Sequence, residues 1–163
     1  MKTLTNTAPK SVKLPSGLKS LGITLTIPAQ KKCVVARCFT NKNVFCKRDS
    51  DFDSLLPKTL TASGEVKAMA YNLTETIREA ELVKIGKHFT NLSQIKDLIL
   101  RTERGENTGL SKQVDSNVFF LEVGGSVFTV EAYRVYNGWW MNCFRFDRRR
   151  AWYAWSFLFS FIV

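Results

Sequence analysis

The chain is 163 residues long and 45% apolar, so it is large and apolar enough to form a hydrophobic core, which excludes a wholly disordered protein. Its net charge is +10, from 24 Lys and Arg against 14 Asp and Glu. The whole excess lies in residues 1–48, which hold ten basic residues and no acidic ones. Composition therefore indicates a globular protein with a basic front, and it favours an anionic partner.

The basic front divides into an arm and a β-rich part. Residues 1–20 mix Lys with Ser, Thr, Pro and Gly, which predicts a flexible basic arm. They lack the apolar run of a secretory signal, so we expect a cytoplasmic protein. Residues 21–58 predict a small basic β unit and an acidic linker, with strands at 21–27, 31–40 and 44–47.

Two helices are predicted in the middle of the chain. Ser63 is suited to cap a helix whose apolar side chains recur at helical spacing as far as Ala80. A second helix is predicted from Thr90 or Asn91 to Gly105. A helix-turn-helix is the alternative to two helices that pack on a sheet, but the residues near the turn fit that motif poorly.

Residues 118–163 hold fifteen of the twenty aromatic side chains. Gly124-Gly125 and Asn137-Gly138 are strong signals for two-residue hairpin turns. They predict a meander of four antiparallel strands, at 118–123, 126–136, 139–146 and 152–163. Trp155 and Phe159 share one face of the last strand, and we expect that face to enter the core.

The predicted fold class is α+β, with two helices packed on a four-stranded antiparallel meander and a small basic β unit before them. The corresponding division of the chain is a flexible arm at 1–20, the basic β unit with its acidic linker at 21–58, and a core domain at 59–163.

The sequence carries no pattern that favours catalysis. Its four cysteines do not have zinc-ligand spacing, and its single histidine, His88, has no nucleophile near it in sequence. No phosphate-binding glycine loop is present. The apolar run at 151–163 is shorter than the roughly 20 residues that a membrane helix needs. We therefore expect no enzyme, no cofactor, no metal and no membrane partner.

Two functional hypotheses remain. The first is a non-catalytic nucleic-acid-binding protein, in which cations neutralise DNA or RNA phosphates and rings near the Asn-Gly turn, including Tyr133 and Tyr136, stack on bases. Its candidate contact residues are Lys31, Lys32, Arg37, Lys42, Lys47, Arg48, Arg148, Arg149, Arg150, Trp139 and Trp140. The second is a small inhibitor or adaptor, as some viral proteins are, that binds an acidic or nucleic-acid-binding host protein through its basic surface. The sequence leaves the oligomeric state open.

Overall fold

A computed structural model describes residues 13–161 of the chain. Its strands are β1 (Leu18–Ile27), β2 (Cys33–Val34), β3 (Phe45–Arg48), β4 (Thr59–Leu60), β5 (Val66–Leu73), β6 (Ile77–Arg78), β7 (Asn117–Val123), β8 (Ser126–Val135), β9 (Gly138–Arg145), β10 (Ala151–Trp152) and β11 (Phe157–Phe161). Its helices are α1 (Asp51–Leu55), α2 (Glu79–Leu82) and α3 (Leu92–Glu103), with a 3-10 turn at Val35–Arg37.

One seven-stranded mixed sheet organises the described part of the chain, in the order β1-β5-β11-β7-β8-β9-β3. The strands β7, β8 and β9 form two antiparallel hairpins, and their turns fall at Gly124-Gly125 and at Tyr136-Asn137. Strand β11 is parallel to β7, and β3 is parallel to β9. The first hairpin turn therefore lies where the sequence predicts it and the second begins one residue earlier, and the sheet around them is larger and mixed.

The predicted fourth strand of the meander is wrong. Residues 152–163 do not continue beside β9, because β3 occupies that edge. The chain instead forms β10, turns at residues 153–156, and inserts β11 between β5 and β7. Phe159 and Leu158 are buried on opposite faces of β11, and a strand that is apolar on both faces is stable only inside a sheet that is covered on both sides.

The predicted first helix is also wrong, since its longest part is strand β5. Ala68 and Ala70 pack into one buried cluster, whereas Tyr71 and Leu73 pack into another on the opposite face. Burial on both faces produces a nearly continuous apolar run, and such a run contains helical and strand spacings at once. Periodicity alone therefore could not assign this segment.

The predicted second helix corresponds to α3. Its first turn is fixed by a capping box, in which the Ser93 backbone N–H donates to Asn91 Oδ1 at 2.8 Å and the Asn91 backbone N–H donates to Gln94 Oε1 at 3.1 Å. Its apolar face packs on the sheet through Ile95, Leu98 and Ile99. This is the one helix of more than five residues in the described part of the chain.

The basic front contributes to the same sheet. Strand β1 pairs with β5 at one edge, and β3 pairs with β9 at the other. Residues 1–12 of the predicted arm lie outside the described residues, and Leu18–Ser20 belong to β1. The predicted fold class of two helices on a four-stranded antiparallel meander is therefore wrong, and the fold is mostly β with a seven-stranded mixed sheet.

Two buried clusters cover the sheet unequally. The first lies between the sheet and α3, together with the segment that contains α1 and β2. The second lies on the opposite face, where α2 and the β6-β10 ribbon pack over β5, β11 and β7. The opposite face of β8, β9 and β3 extends beyond that cover. In residues 13–161, we find no helix with the length and apolar character needed to cross a membrane.

Candidate nucleic-acid interface

Within residues 13–161, the part of the sheet that no element covers is the face of β9, β3 and the second half of β8 that points away from α3; the first half of β8 is covered there, since Val127 packs against the second cluster and Thr129 is fully buried. Side chains along β9 alternate between the two faces. Those in the first buried cluster are Trp139, Met141 and Cys143. Those on the opposite face are Trp140, Asn142 and Phe144, all half-buried, and neither ring belongs to a buried cluster. This surface is called the open face below.

A three-member stack crosses the open face. Trp140 pairs in register with Tyr133 of β8 and with Lys47 of β3. The Tyr133 and Trp140 rings are stacked, with centroids 5.4 Å apart and an angle of 28° between their planes. Lys47 Nζ lies 4.1 Å from the centre of the Trp140 ring, which is cation–π geometry. The strand register therefore places two rings and a cation side by side.

The stack determines which surface a ligand can use. Tyr133 and Lys47 approach Trp140 from the strands on its two sides, so the indole is already occupied by protein contacts. Tyr133 is half-buried, and Lys47 is exposed. Burial, followed by the charge of nearby Glu131, raises the pKa of the Tyr133 phenol, so that ring is neutral at physiological pH. A planar ligand would therefore stack on Tyr133, with Trp140 and Lys47 supporting it.

Polar groups and a second cation–π pair continue the open face. Asn142 Nδ2 donates to Glu131 Oε2 at 2.9 Å, and Glu131 also accepts a hydrogen bond from the Ser116 hydroxyl. The Arg150 guanidinium lies 4.7 Å from the centre of the Phe144 ring. Amide and carboxylate groups recognise base edges, and rings recognise base faces. The open face therefore combines ring faces with hydrogen-bonding groups, a combination that suits a planar polar ligand.

The predicted phosphate contacts fall into two groups. Lys47 lies on the open face, and Arg37 ends the 3-10 turn. The others that are exposed lie in connections between elements: Lys31, Lys32, Lys42, Arg148 and Arg149. Arg48 is different, because its guanidinium donates to both oxygens of Asp53, at 2.7 and 2.9 Å, and to the carbonyls of Cys38 and Val35. The Arg48 guanidinium holds the pKa of Asp53 below its usual range. Arg48 therefore stabilises the fold and has little capacity left for phosphate.

Arg150 is also bound within the protein. Its Nη1 lies 3.2 Å from both carboxylate oxygens of Glu79, which is fully buried. Glu79 further accepts hydrogen bonds from the Thr129 hydroxyl, the Trp152 indole N–H and the Asp147 backbone N–H. A buried carboxylate needs such donors to offset its lost hydration. Arg150 therefore anchors the loop after β9 and is not free to bind a phosphate.

Trp139 does not reach the surface. It is fully buried, and its indole N–H donates to Glu103 Oε1 at 2.9 Å. Burial would raise the pKa of Glu103, but the hydrogen bonds from Trp139 and Arg134 outweigh it and hold that pKa below its usual range. Of the two adjacent tryptophans, only Trp140 therefore lies on the open face.

Three residues of the open face, Asn142, Phe144 and Glu131, were not identified from the sequence. The period of two along residues 139–146 contained the signal, since it places Trp140, Asn142 and Phe144 on one face. What the sequence did not show is which face of the strand is covered, because the cover comes from α2 and the β6-β10 ribbon.

Groups that favour other chemistry are few. Residues 13–161 contain no cluster of three or more His, Cys, Asp or Glu side chains that would hold a metal ion. The His88 ring contacts the Val83 carbonyl oxygen at 2.8 Å and Glu122 Oε2 at 3.1 Å.

One thiol pair has unequal acidity. A hydrogen bond from Cys38, with weaker ones from the Leu92 and Ser93 backbone N–H groups at the start of α3, lowers the pKa of Cys33 to about 6 against the effect of burial. Hydrogen bonding to Cys33, followed by burial, raises the pKa of Cys38. Cys33 is therefore the more acidic thiol of the pair.

No family model matches the chain, and no curated protein or solved structure matches it either.

Proposed function

We propose that the protein binds single-stranded nucleic acid without catalysis, and that it does so through the open face of β8, β9 and β3. The observation that carries this proposal is the stack formed by Tyr133, Trp140 and Lys47, in which rings and a cation lie together on a sheet surface that no element within residues 13–161 covers. Stacked rings beside a cation favour unpaired bases, because every base has a π face and every nucleotide carries a phosphate.

Single strands are favoured over duplex by the shape of the surface. The described residues offer rings on an open sheet, and a base can reach such rings only when it is unpaired. A duplex would be limited to phosphate contacts by the exposed lysines and arginines, which bind all sequences alike. The fold therefore supports tighter binding to a single strand than to a duplex of the same length.

A titration with fluorescent single- and double-stranded oligonucleotides at several salt concentrations tests the proposal. Tyr133→Ala removes the stacking ring and should weaken single-strand binding by about 1–3 kcal/mol. Tyr133→Phe keeps the ring and is the matched control, so it should bind nearly as the parent protein does.

Lys47→Gln tests the cation of the same stack. It should weaken binding and reduce the slope of log affinity against log salt by about 0.7, the value for one phosphate contact on a single strand. Lys87→Gln makes the same change in charge and serves as the control. Lys87 lies near Phe89, whose bridge to Leu121 is toward the other end of β7, so this variant should leave the slope unchanged.

Two results would contradict the proposal. One is equal affinity of the parent, Tyr133→Ala and Lys47→Gln proteins for single strands. The other is tighter binding of duplex than of single strand. The first result would place the binding surface elsewhere on the protein, and the second would favour a duplex-binding protein that uses phosphate contacts.

A further inference from the structure

The turn before β11 holds a tryptophan in a strained and exposed position. Trp155 has φ +76°, a region that costs a residue with a side chain roughly 1–2 kcal/mol, and its side chain is 73% exposed. The turn is well fixed, because the Trp155 backbone N–H donates to the Leu73 carbonyl at 2.9 Å and the Leu73 backbone N–H donates to the Ser156 carbonyl at 2.8 Å. The structure therefore maintains this conformation with regular hydrogen bonds on both sides.

Burial of the side chain does not offset the backbone strain at Trp155, whereas it does at Phe39, the other described non-glycine residue with positive φ. Among the described residues, only Phe39 and Trp155 have positive φ without being glycine. Phe39 is 1% exposed and packs against Phe45 and Phe52 at centroid distances of 5.2 and 5.4 Å. The Trp155 ring gains no such burial. Backbone strain that packing within the fold does not offset is typical of a ligand-binding site.

Other exposed apolar side chains gather at the same end of the sheet. Tyr153, Val114 and Tyr136 are each at least 75% exposed. Tyr153 precedes β11, Val114 precedes β7 and Tyr136 follows β8. The strands β11, β7 and β8 are consecutive neighbours in the sheet. The start of β11 lies beside the start of β7, and the start of β7 lies beside the last third of β8. The register therefore brings these side chains to one edge.

This end is continuous with the open face. Ala132 of β8 pairs with Asn117, so Tyr133 lies beside Ser116, and the Ser116 carbonyl accepts the Phe157 backbone N–H at 2.8 Å. With strands about 4.8 Å apart, the turn before β11 lies roughly 10 Å from Tyr133 across the sheet. Tyr133 and Trp155 are therefore close enough for one short strand to contact both.

A cleft lies at this end of the sheet, beside the last residues of β8. It has a volume of about 420 Å³ and is lined by Lys112, Val114, Arg134, Val135 and Tyr136. Arg134 is paired with Glu103 at 3.2 Å, which leaves Lys112 as the exposed cation. A cation between exposed rings complements a phosphate between two bases.

We infer that the nucleic-acid track continues from Tyr133 past Lys112 to Trp155, and that Trp155 is the stacking platform for a base at the far end of the bound strand. This inference rests on the proposed function and adds to it the length and direction of the nucleic-acid-binding surface. An oligonucleotide shorter than the distance between Tyr133 and Trp155 stacks on one of these two rings, and a longer oligonucleotide stacks on both.

Trp155→Gly provides a test in which loss of folding cannot imitate loss of binding. Glycine adopts positive φ without strain, so the variant should melt at the same temperature as the parent or higher. We would titrate both proteins with oligothymidylates from about 2 to about 16 nucleotides long, a range that covers known single-strand site sizes. Trp155→Phe, which keeps a ring, is the matched control.

The expected result is a difference that depends on length. Trp155→Gly should bind the shortest strands as the parent does and bind the longest about 5- to 150-fold more weakly, while Trp155→Phe stays near the parent. Equal affinities of Trp155→Gly and parent at every length would overturn the inference. If Tyr133→Ala still weakened binding in that case, the proposed function would stand without the Trp155 platform. Failure of the parent to bind any length would reject both, and capture of a protein that Trp155→Gly releases would then assign this end to a protein partner.

Discussion

Neutralising Glu79 tests whether its buried carboxylate holds the loop after β9 onto the sheet. In Glu79→Gln one carboxylate oxygen becomes an NH₂ group. If that group takes the place of Oε1, it faces the Thr129 hydroxyl and the Trp152 indole N–H, which donate at 2.7 and 3.1 Å. If it takes the place of Oε2, it faces the Asp147 backbone N–H, which donates at 2.8 Å. At least one buried donor loses its acceptor in either orientation.

The expected cost follows from these contacts. One buried donor without an acceptor costs about 1–3 kcal/mol, and breaking a buried ion pair by removing one charge costs about 3–5 kcal/mol in total. The Arg150 side chain is 28% exposed and can regain water, which places the cost at the lower end. We therefore expect Glu79→Gln to lower the free energy of unfolding by about 3 kcal/mol.

Urea unfolding of three proteins measures this cost. Glu81→Gln makes the same change on an exposed neighbour in α2 and should alter the free energy of unfolding by less than about 0.5 kcal/mol. Arg150→Met removes the other partner and should cost at least as much as Glu79→Gln, because it leaves the carboxylate buried without its counterion. A cost below about 1 kcal/mol for Glu79→Gln, with an unchanged m-value, would refute the anchoring role.

Three further predictions concern the core, a turn and a thiol. Phe159→Ala removes a buried ring that stacks on Phe119 at 5.0 Å and should cost about 3–5 kcal/mol in urea unfolding, whereas Trp155→Ala should cost less than about 1 kcal/mol. Gly138→Ala should destabilise more than Gly125→Ala in thermal melts, because a Cβ at residue 138 would lie 2.7 Å from the Val44 carbonyl oxygen and one at residue 125 meets open space. Thiolate absorbance at 240 nm should titrate with a midpoint near pH 6 and vanish in Cys33→Ser, but persist in Cys143→Ser, since burial raises the pKa of Cys143 to about 12. Because folding lowers the pKa of Cys33 from 9.0, its contribution to stability should grow from pH 6 to pH 9 and be absent below pH 6; a curve that is flat in this window and unchanged by Cys33→Ser would contradict the assignment.

Local signals in the sequence identify local structure well in this chain. The turns at Gly124-Gly125 and before Gly138 are determined by backbone conformations that glycine favours, and both hairpins form there. The capping box at Asn91 and Gln94 is likewise a local feature, and α3 begins at it. Such features depend on residues a few positions apart, so sequence alone is sufficient to find them.

Features that depend on distant partners were not predictable from these signals. Residues 66–73 became a strand because β1 and β11 flank them and both faces are covered, and none of that is encoded within the segment itself. The same dependence on distant residues limited the prediction of the candidate site. Trp139 and Trp140 are adjacent and chemically alike, yet the elements packed on one face of β9, α1 and α3 among them, determine which one is buried.

The lysine and arginine content of the sequence also overestimates the number of cations that are free to bind an anionic partner. Arg48 and Arg150 carry full charges in the sequence, but each is engaged by a carboxylate of the fold, Asp53 and Glu79 respectively. Charge counting indicates that an anionic partner is plausible, and only the ion pairs show which cations remain for it.

The position of β11 has a consequence for how the chain is synthesised. Residues 157–161 are made after all the other strands of the sheet, yet they join β5 on one side to β7 on the other. Until they leave the ribosome, the nascent chain holds two partial sheets with open backbone edges facing a gap. Such edges pair readily with other chains. We therefore expect yield during expression to depend on chaperones that shelter nascent β edges, and to fall steeply for any variant that delays the insertion of β11.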